Sequence, residues 1–149
     1  MKLSTKARYG MRAMVDLALH YEKGPVLLKD IAERQEVSMK YLDHIISILK
    51  VNGLIESAKT GHSGYVLSRA PCQIKAYEII KAVEGSLAPV GCVDDPKICH
   101  RADFCATINL WKKLKESMTV ALEGVTLEGL AKEQREIIEQ KTRGEMYYI

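Results

Sequence analysis

The sequence predicts a mainly α-helical chain with a small β-hairpin: a winged helix-turn-helix followed by long helices. Three observations carry this. Two short amphipathic segments are separated by about three residues, two β-type runs around a glycine-bearing turn follow them directly, and long apolar stripes close the chain. The length of 149 residues suits one ordinary domain or a small module with an appendage. With 47% hydrophobic and 28% charged residues, ten glycines and four prolines, the composition is globular rather than disordered or fibrous.

Residues 5–23 place Ala7, Met11, Met14, Ala18 and Tyr21 at helical spacing, and Gly24 and Pro25 end that helix. Val26 and Leu27 read as a short extended piece, and residues 28–35 as a helix with Leu28, Ile31 and Ala32 inward. Ser38 is an N-cap residue, after which Leu42, Ile45, Ile46 and Leu49 form one apolar face that Asn52 and Gly53 terminate. Two runs, 54–58 and 65–68, flank the turn 59–64 as a hairpin. A helix over 75–84, with Ala76, Ile79, Ile80 and Val83 inward, ends at Gly85. Periodicity then disappears from Ser86 to Phe104, a longer loop than a small domain holds without a function or an internal constraint. Ile108, Trp111, Leu114, Met118, Leu122 and Val125 mark a long amphipathic helix, and Thr126 caps a last one carrying Leu127, Leu130, Ala131, Ile137 and Ile138. This apolar surplus predicts a dimerisation helix and a homodimer, so residues 1–70 read as the winged helix-turn-helix domain and 71–149 as the cysteine loop and dimerisation helices. The tail 144–149 reads as a frayed end.

The net charge of +3 hides an asymmetry. Residues 1–75 hold twelve Lys and Arg against seven Asp and Glu, and residues 76–149 hold ten against twelve. The basic half is the candidate for a polyanionic partner. A major groove about 12 Å wide accepts one helix whose side chains carry donors and acceptors. Lys40, Tyr41, Asp43 and His44 supply such groups, and Asp43 can accept a hydrogen bond from cytosine N4. Lys59 in the hairpin turn can reach a phosphate or a narrow minor groove. Double-stranded DNA, as a palindromic operator that matches a two-fold protein, is the expected partner.

Of four cysteines, Cys92, Cys99 and Cys105 fall within one short window, whereas Cys72 stands alone. No apolar run approaches the roughly 20 residues of a membrane helix and the start lacks a secretory signal, so a cytoplasmic, reducing setting is expected. There, clustered thiols read first as metal or redox ligands. Zinc, for which gaps of six and five residues are unusual, and a metal-free thiol switch both compete with an iron-sulfur cluster. The histidines at 20, 44, 62 and 100 have no catalytic motif around them, and no phosphate-binding loop or nucleophile elbow is present, so no enzymatic activity is expected. A dimeric adaptor that binds zinc or switches through thiols without reading DNA is the alternative function.

The start Lys2-Leu3-Ser4-Thr5-Lys6-Ala7-Arg8-Tyr9-Gly10, the segments Ile31-Ala32-Glu33-Arg34 and Ser38-Met39-Lys40-Tyr41-Leu42, the Asn52-Gly53-Leu54 stop and the Gly64-Tyr65 pair are similar to the Rrf2 family of winged-helix repressors. The resemblance extends through the cysteine loop, Leu110-Trp111 and Thr126-Leu127. It implies a repressor-type regulator that senses iron-sulfur status or redox and nitrosative stress. It places Ser38, Lys40, Tyr41 and Asp43 on a recognition helix, with Lys59 as the wing's basic residue, although the wing Thr60-Gly61-His62-Ser63-Gly64 is poorer in glycine than the family's. It implies an iron-sulfur cluster, 2Fe-2S rather than 4Fe-4S, on Cys92, Cys99 and Cys105. Branches of the family draw a fourth ligand from a histidine three positions after the last cysteine or from an N-terminal acid. Ile108 and Arg8 stand there instead, which leaves His100, Asp94, Asp95, Asp103, an exogenous thiol or water as candidates.

Overall fold

The computed structural model describes residues 2–59 and 61–147. Met1, Thr60 of the wing turn, and Tyr148 and Ile149 of the tail lie outside the described residues. The Ser4 hydroxyl accepts the Ala7 N–H at 3.1 Å and opens helix α1, Thr5–Leu19. That helix buries Ala7, Ala13, Met14, Leu17 and Ala18, and packs against the second, third, fourth and sixth α-helices in sequence. The predicted stripe overreaches at Tyr21, which is 44% exposed. The helix stops one turn early because His20 caps it, with Nδ1 2.8 Å from the Asp16 carbonyl, and a single 3-10 turn, Tyr21–Lys23, redirects the chain.

Helices α2 (Leu28–Gln35) and α3 (Met39–Val51) stand where the apolar pattern predicts them. Glu36 takes a left-handed conformation (φ 54°) between them. The Ser38 hydroxyl accepts the Tyr41 N–H at 3.2 Å, and Leu42, Ile45, Ile46 and Leu49 are all fully buried. Burying each such side chain contributes about 1.5–3 kcal/mol before entropy, enough to hold α3 in one rotational setting.

Strands β1 (Ile55–Ser57) and β2 (Tyr65–Leu67) pair antiparallel with Ile55 opposite Leu67 and Ser57 opposite Tyr65. The extended piece expected at Val26 adds to this hairpin: Val26 N donates to the Tyr65 carbonyl at 3.0 Å and Tyr65 N to the Val26 carbonyl at 2.8 Å. Gly64 is required here. Its φ is +119°, and any Cβ would stand 2.8 Å from the Val26 oxygen.

Helix α4 (Ala76–Glu84) buries its four predicted residues. Beyond the irregular segment come α5 (Thr107–Glu123) and α6 (Leu127–Met146), the latter capped by the Thr126 hydroxyl on Gly129 N at 3.0 Å. The predicted fraying of the tail is corrected as far as Met146, where α6 remains helical. An antiparallel bridge joins Lys75 to Thr126, through Ala76 N on the Val125 carbonyl and Leu127 N on the Ile74 carbonyl, both at 2.9 Å. It closes the excursion that contains the cysteine loop and α5. One core spans position 70, since Ile79, Ile80, Val83, Leu127 and Ala131 join the residues of α1–α3. Only Ile108 of α5 is buried; Leu122 packs at the edge of the core, Trp111, Leu114 and Met118 are half-buried and Leu110 and Val120 exposed, so the stripe on this helix is only partly covered within the chain.

Candidate DNA interface and cysteine loop

Because its other face is locked into the core, α3 presents Lys40, Asp43, His44, Ser47 and Lys50 to solvent as one stripe at spacings of three and four. Four of the residues predicted for DNA thus lie at the N-terminal end of one element: Ser38 as cap, and Lys40, Asp43 and His44 exposed behind it. Tyr41 differs. It is half-buried, edge-on to Tyr9 of α1 with ring centroids 6.1 Å apart, while Arg8 and Arg12 lie over the Tyr9 ring. The Tyr41 ring therefore fastens α3 to α1. Lys59 is exposed at the start of the wing turn.

The aim of α3 depends on a buried charge. Asp16, 1% exposed, accepts from Arg34 Nε and Nη2 at 2.9 and 2.7 Å and from Gln35 Nε2 at 3.0 Å. Arg12 in turn donates to the Gln35 side chain and carbonyl, both at 2.9 Å. These bonds bind α1 to the C-terminal end of α2, three residues before the recognition helix begins. The hydrogen bond to Asp16 raises the Arg34 guanidinium above its ordinary value. Asp16 interrupts the apolar run Met14 to Leu19, and that break in pattern is the signal through which sequence reasoning could have found the network.

The loop 86–106 folds as three single turns, Gly91–Val93, Pro96–Ile98 and Ala102–Phe104, with a cysteine in the first and immediately after each of the others. Cys92, Cys99 and Cys105 are half-buried free thiols, and Cys72 is free and exposed. The first two turns pack tightly, since a Cβ on Gly91 would stand 2.7 Å from Ile98 Cδ1. Asp94 accepts hydrogen bonds from Ser86 Oγ and, at 2.7 Å, from Lys115 Nζ of α5; these partners hold its carboxyl below the usual range. Asp94 is thereby engaged in tying the loop to α5, a role with no signal in the residue pattern. His100, Asp95 and Asp103 are exposed. Cys105 lies 3.1 Å from Thr107 Oγ1 at the start of α5, and this hydrogen bond, joined by the Thr107 and Ile108 N–H groups, lowers its thiol below the ordinary range. Ile108, at the position resemblance reserves for a histidine ligand, is buried.

The donors suit an iron-sulfur centre in kind, because thiolates are the ligands such clusters take and Cys105 is already biased toward thiolate. Among the described residues, no three His, Cys, Asp or Glu side chains are close enough together to hold a metal ion. The loop must draw inward for all three sulfurs to meet one centre.

A three-helix core, a hairpin wing and a polar stripe on the third helix define a winged helix-turn-helix DNA-binding protein. Residues 3–133 match the Rrf2 family model, described as an iron-dependent transcriptional regulator. The chain is 41% identical over 134 residues to the HTH-type transcriptional regulator IscR of Xenorhabdus nematophila, covering 90% of this chain and 81% of that one. Among solved structures it resembles IscR of T. potens (TM-score 0.75, 39% identity, 92% and 90% covered). It also resembles CymR, the global cysteine regulator of B. subtilis (TM-score 0.72, 35% identity, 89% and 98% covered). The chain belongs to the Rrf2 family and is a DNA-binding transcriptional regulator, not an enzyme. Among the described residues no helix is long and apolar enough to cross a membrane.

Proposed function

We propose that this regulator is a cytoplasmic, homodimeric repressor that reads a palindromic operator and senses iron-sulfur status or redox and nitrosative stress through a cluster on Cys92, Cys99 and Cys105. The observation that carries the reading is the cysteine loop's attachment to α5: Asp94 and Lys115 bind its first turn, and Cys105 sits against the first residues of the helix. The apolar stripe of α5, only partly covered within the chain, supports a two-fold interface there. Ser38, Lys40, Tyr41, Asp43 and His44 form the base-reading end, with Lys59 on the backbone or minor groove. His100, exposed and next to Cys99, is the proposed fourth ligand. A cluster supplies a redox- and nitric oxide-sensitive centre of 2Fe-2S type when bound. The chain's own part is mechanical: drawing Cys99 and His100 toward Cys92 reshapes a loop anchored to α5, which biases the relative setting of the two DNA-binding modules by a coupling of about 1–3 kcal/mol.

The test is an anaerobic preparation analysed for iron, sulfide and zinc, with its visible spectrum, for the wild type and Cys99→Ala. Matched iron and sulfide with absorbance lost in the variant support the cluster, provided the variant also loses the change in operator affinity between loaded and metal-free protein. Loss of metal with unchanged affinity in both states refutes the coupling. A colourless protein carrying zinc refutes the cluster in favour of zinc. A metal-free protein whose operator affinity follows thiol oxidation establishes a thiol switch instead, the reading that the lowered Cys105 thiol favours.

A further inference from the structure

Lys50 stands on the last turn of the recognition helix, ten residues and about 15 Å from Lys40. An exposed lysine on a DNA-reading helix would ordinarily be assigned to a phosphate. Its Nζ is already directed elsewhere: it donates to Ser57 Oγ at 2.8 Å and lies 5.8 Å from the centroid of the Tyr65 ring. Ser57 and Tyr65 are opposite one another, on the last paired rung of β1 and β2 before the turn that carries Lys59. Tyr65 is in addition bridged through both backbone groups to Val26. That rung is thus held from two sides, by the chain entering α2 and by the end of α3. A two-stranded hairpin is marginal by itself, so its direction relative to the helix depends on such outside contacts.

We propose that Lys50 is a positioning residue for DNA reading, bracing the terminal rung of the wing through Ser57 and Tyr65 so that the turn bearing Lys59 meets the DNA backbone while α3 occupies the groove. The proposal rests on the reading of the wing as a DNA-contacting element. It separates Lys50 from the base-reading residues at the other end of α3: its contribution reaches DNA through Lys59, although Lys50 itself carries the charge. Arginine at position 50 can make the same hydrogen bond and lie on the same ring, and methionine keeps the length of the side chain without donor or charge.

The experiment compares Lys50→Met, Lys50→Arg, Ser57→Ala, Lys59→Ala and the Lys50→Met/Ser57→Ala double variant. The probe is a duplex enriched by the protein from a randomised library, titrated at several salt concentrations, with thermal unfolding of each variant as control. Expected are losses of roughly three- to tenfold for Lys50→Met and Ser57→Ala, no further loss in the double variant, and near wild-type binding for Lys50→Arg. Ser57→Ala removes no positive charge, yet it should reduce the salt slope by about one, the value of a released phosphate contact, as should Lys59→Ala. If Lys50→Met weakens binding while Ser57→Ala leaves affinity and slope unchanged, Lys50 is an ordinary phosphate contact and the brace is refuted. Additive losses in the double variant refute it as well. If Lys59→Ala binds as the wild type does, the wing reading fails, and the brace with it. If Lys59→Ala weakens binding but neither Lys50→Met nor Ser57→Ala does, the wing reading stands and the brace alone is overturned.

Discussion

Replacing Arg34 by Met should cost this protein about 3 kcal/mol, and the size of that loss follows from where Asp16 sits. The aspartate is 1% exposed and takes two of its three side-chain hydrogen bonds from Arg34. After the substitution, Gln35 at 3.0 Å and the His20 ring at 3.6 Å are the neighbours left to it. Removing one partner of a buried ion pair typically costs about 3–5 kcal/mol, because the other charge stays desolvated. Arg34 keeps 39% of its side-chain surface in contact with water, which screens the pair and sets the lower end of that range. For a domain of this length the loss corresponds to a fall in Tm of about 6–12 °C. Thermal unfolding of Arg34→Met, Asp16→Asn and the double variant measures it. The double variant should be more stable than the sum of the single losses predicts, because an amide without Arg34 is neither charged nor deprived of an ionic partner. Arg34→Lys should recover only part of the loss, since an ammonium cannot reproduce the two-pronged contact. A Tm within about 1 °C of wild type for Arg34→Met would refute the view that this pair fastens α1 to α2.

Asp43→Ala should change preference at one base position by about 1–3 kcal/mol, whereas Lys59→Ala should weaken binding on all sequences alike; equal losses everywhere for Asp43→Ala would remove it from the base-reading set. Gly64→Ala should destabilise by about 1–3 kcal/mol, through a left-handed φ and a clash with the Val26 carbonyl. Chemical denaturation reads that cost, and wild-type stability would show that the Val26 bridge is dispensable. The Asp94 carboxyl is held low by Lys115 and Ser86, so its contribution to anchoring the loop is fully present above the ordinary carboxylate range and is lost as pH falls through the lowered folded value. Protection factors of metal-free loop amides, the intrinsic exchange rate at each pH divided by the observed rate, should therefore fall on acidification in the wild type. In Asp94→Asn they should be low and independent of pH over that interval, and wild-type protection without acid dependence would contradict the anchor. Cys105 should alkylate faster than Cys72 near neutral pH in the metal-free protein, and Thr107→Val should slow it, because the hydroxyl stabilises the thiolate. Peptide mass spectrometry after timed iodoacetamide treatment gives both rates, and an unchanged Cys105 rate in the variant would discard the Thr107 effect.

Much of the fold was legible because local periodicity and global packing agree. Leu42, Ile45, Ile46 and Leu49 recur at the spacing of one helical face and are all fully buried; Ser38 and Thr126 read as caps and accept the expected N–H groups. Tyr21 departs from the apolar pattern because periodicity continues past a helix end that His20 sets through a side-chain contact. The candidate DNA face was legible for a related reason: once one side of α3 is committed to the core, Lys40, Asp43 and His44 have only solvent to face. Cysteine clustering identified the loop, although its partition into three turns, with Gly91 under Ile98, follows no periodic signal.

By itself the sequence determined the order and kind of the elements, the core face of each helix and the residue types offered to a partner, since hydrophobic spacing and capping are local properties that tertiary contacts here reinforce. Tertiary structure alone decided the contacts that bridge elements: Asp16 with Arg34, Lys115 with Asp94, and Lys50 with Ser57 and Tyr65. A charged or hydroxyl side chain carries no mark of the partner it will meet seven to twenty-one positions away, because its energy depends on distance and desolvation that exist only once the chain has folded.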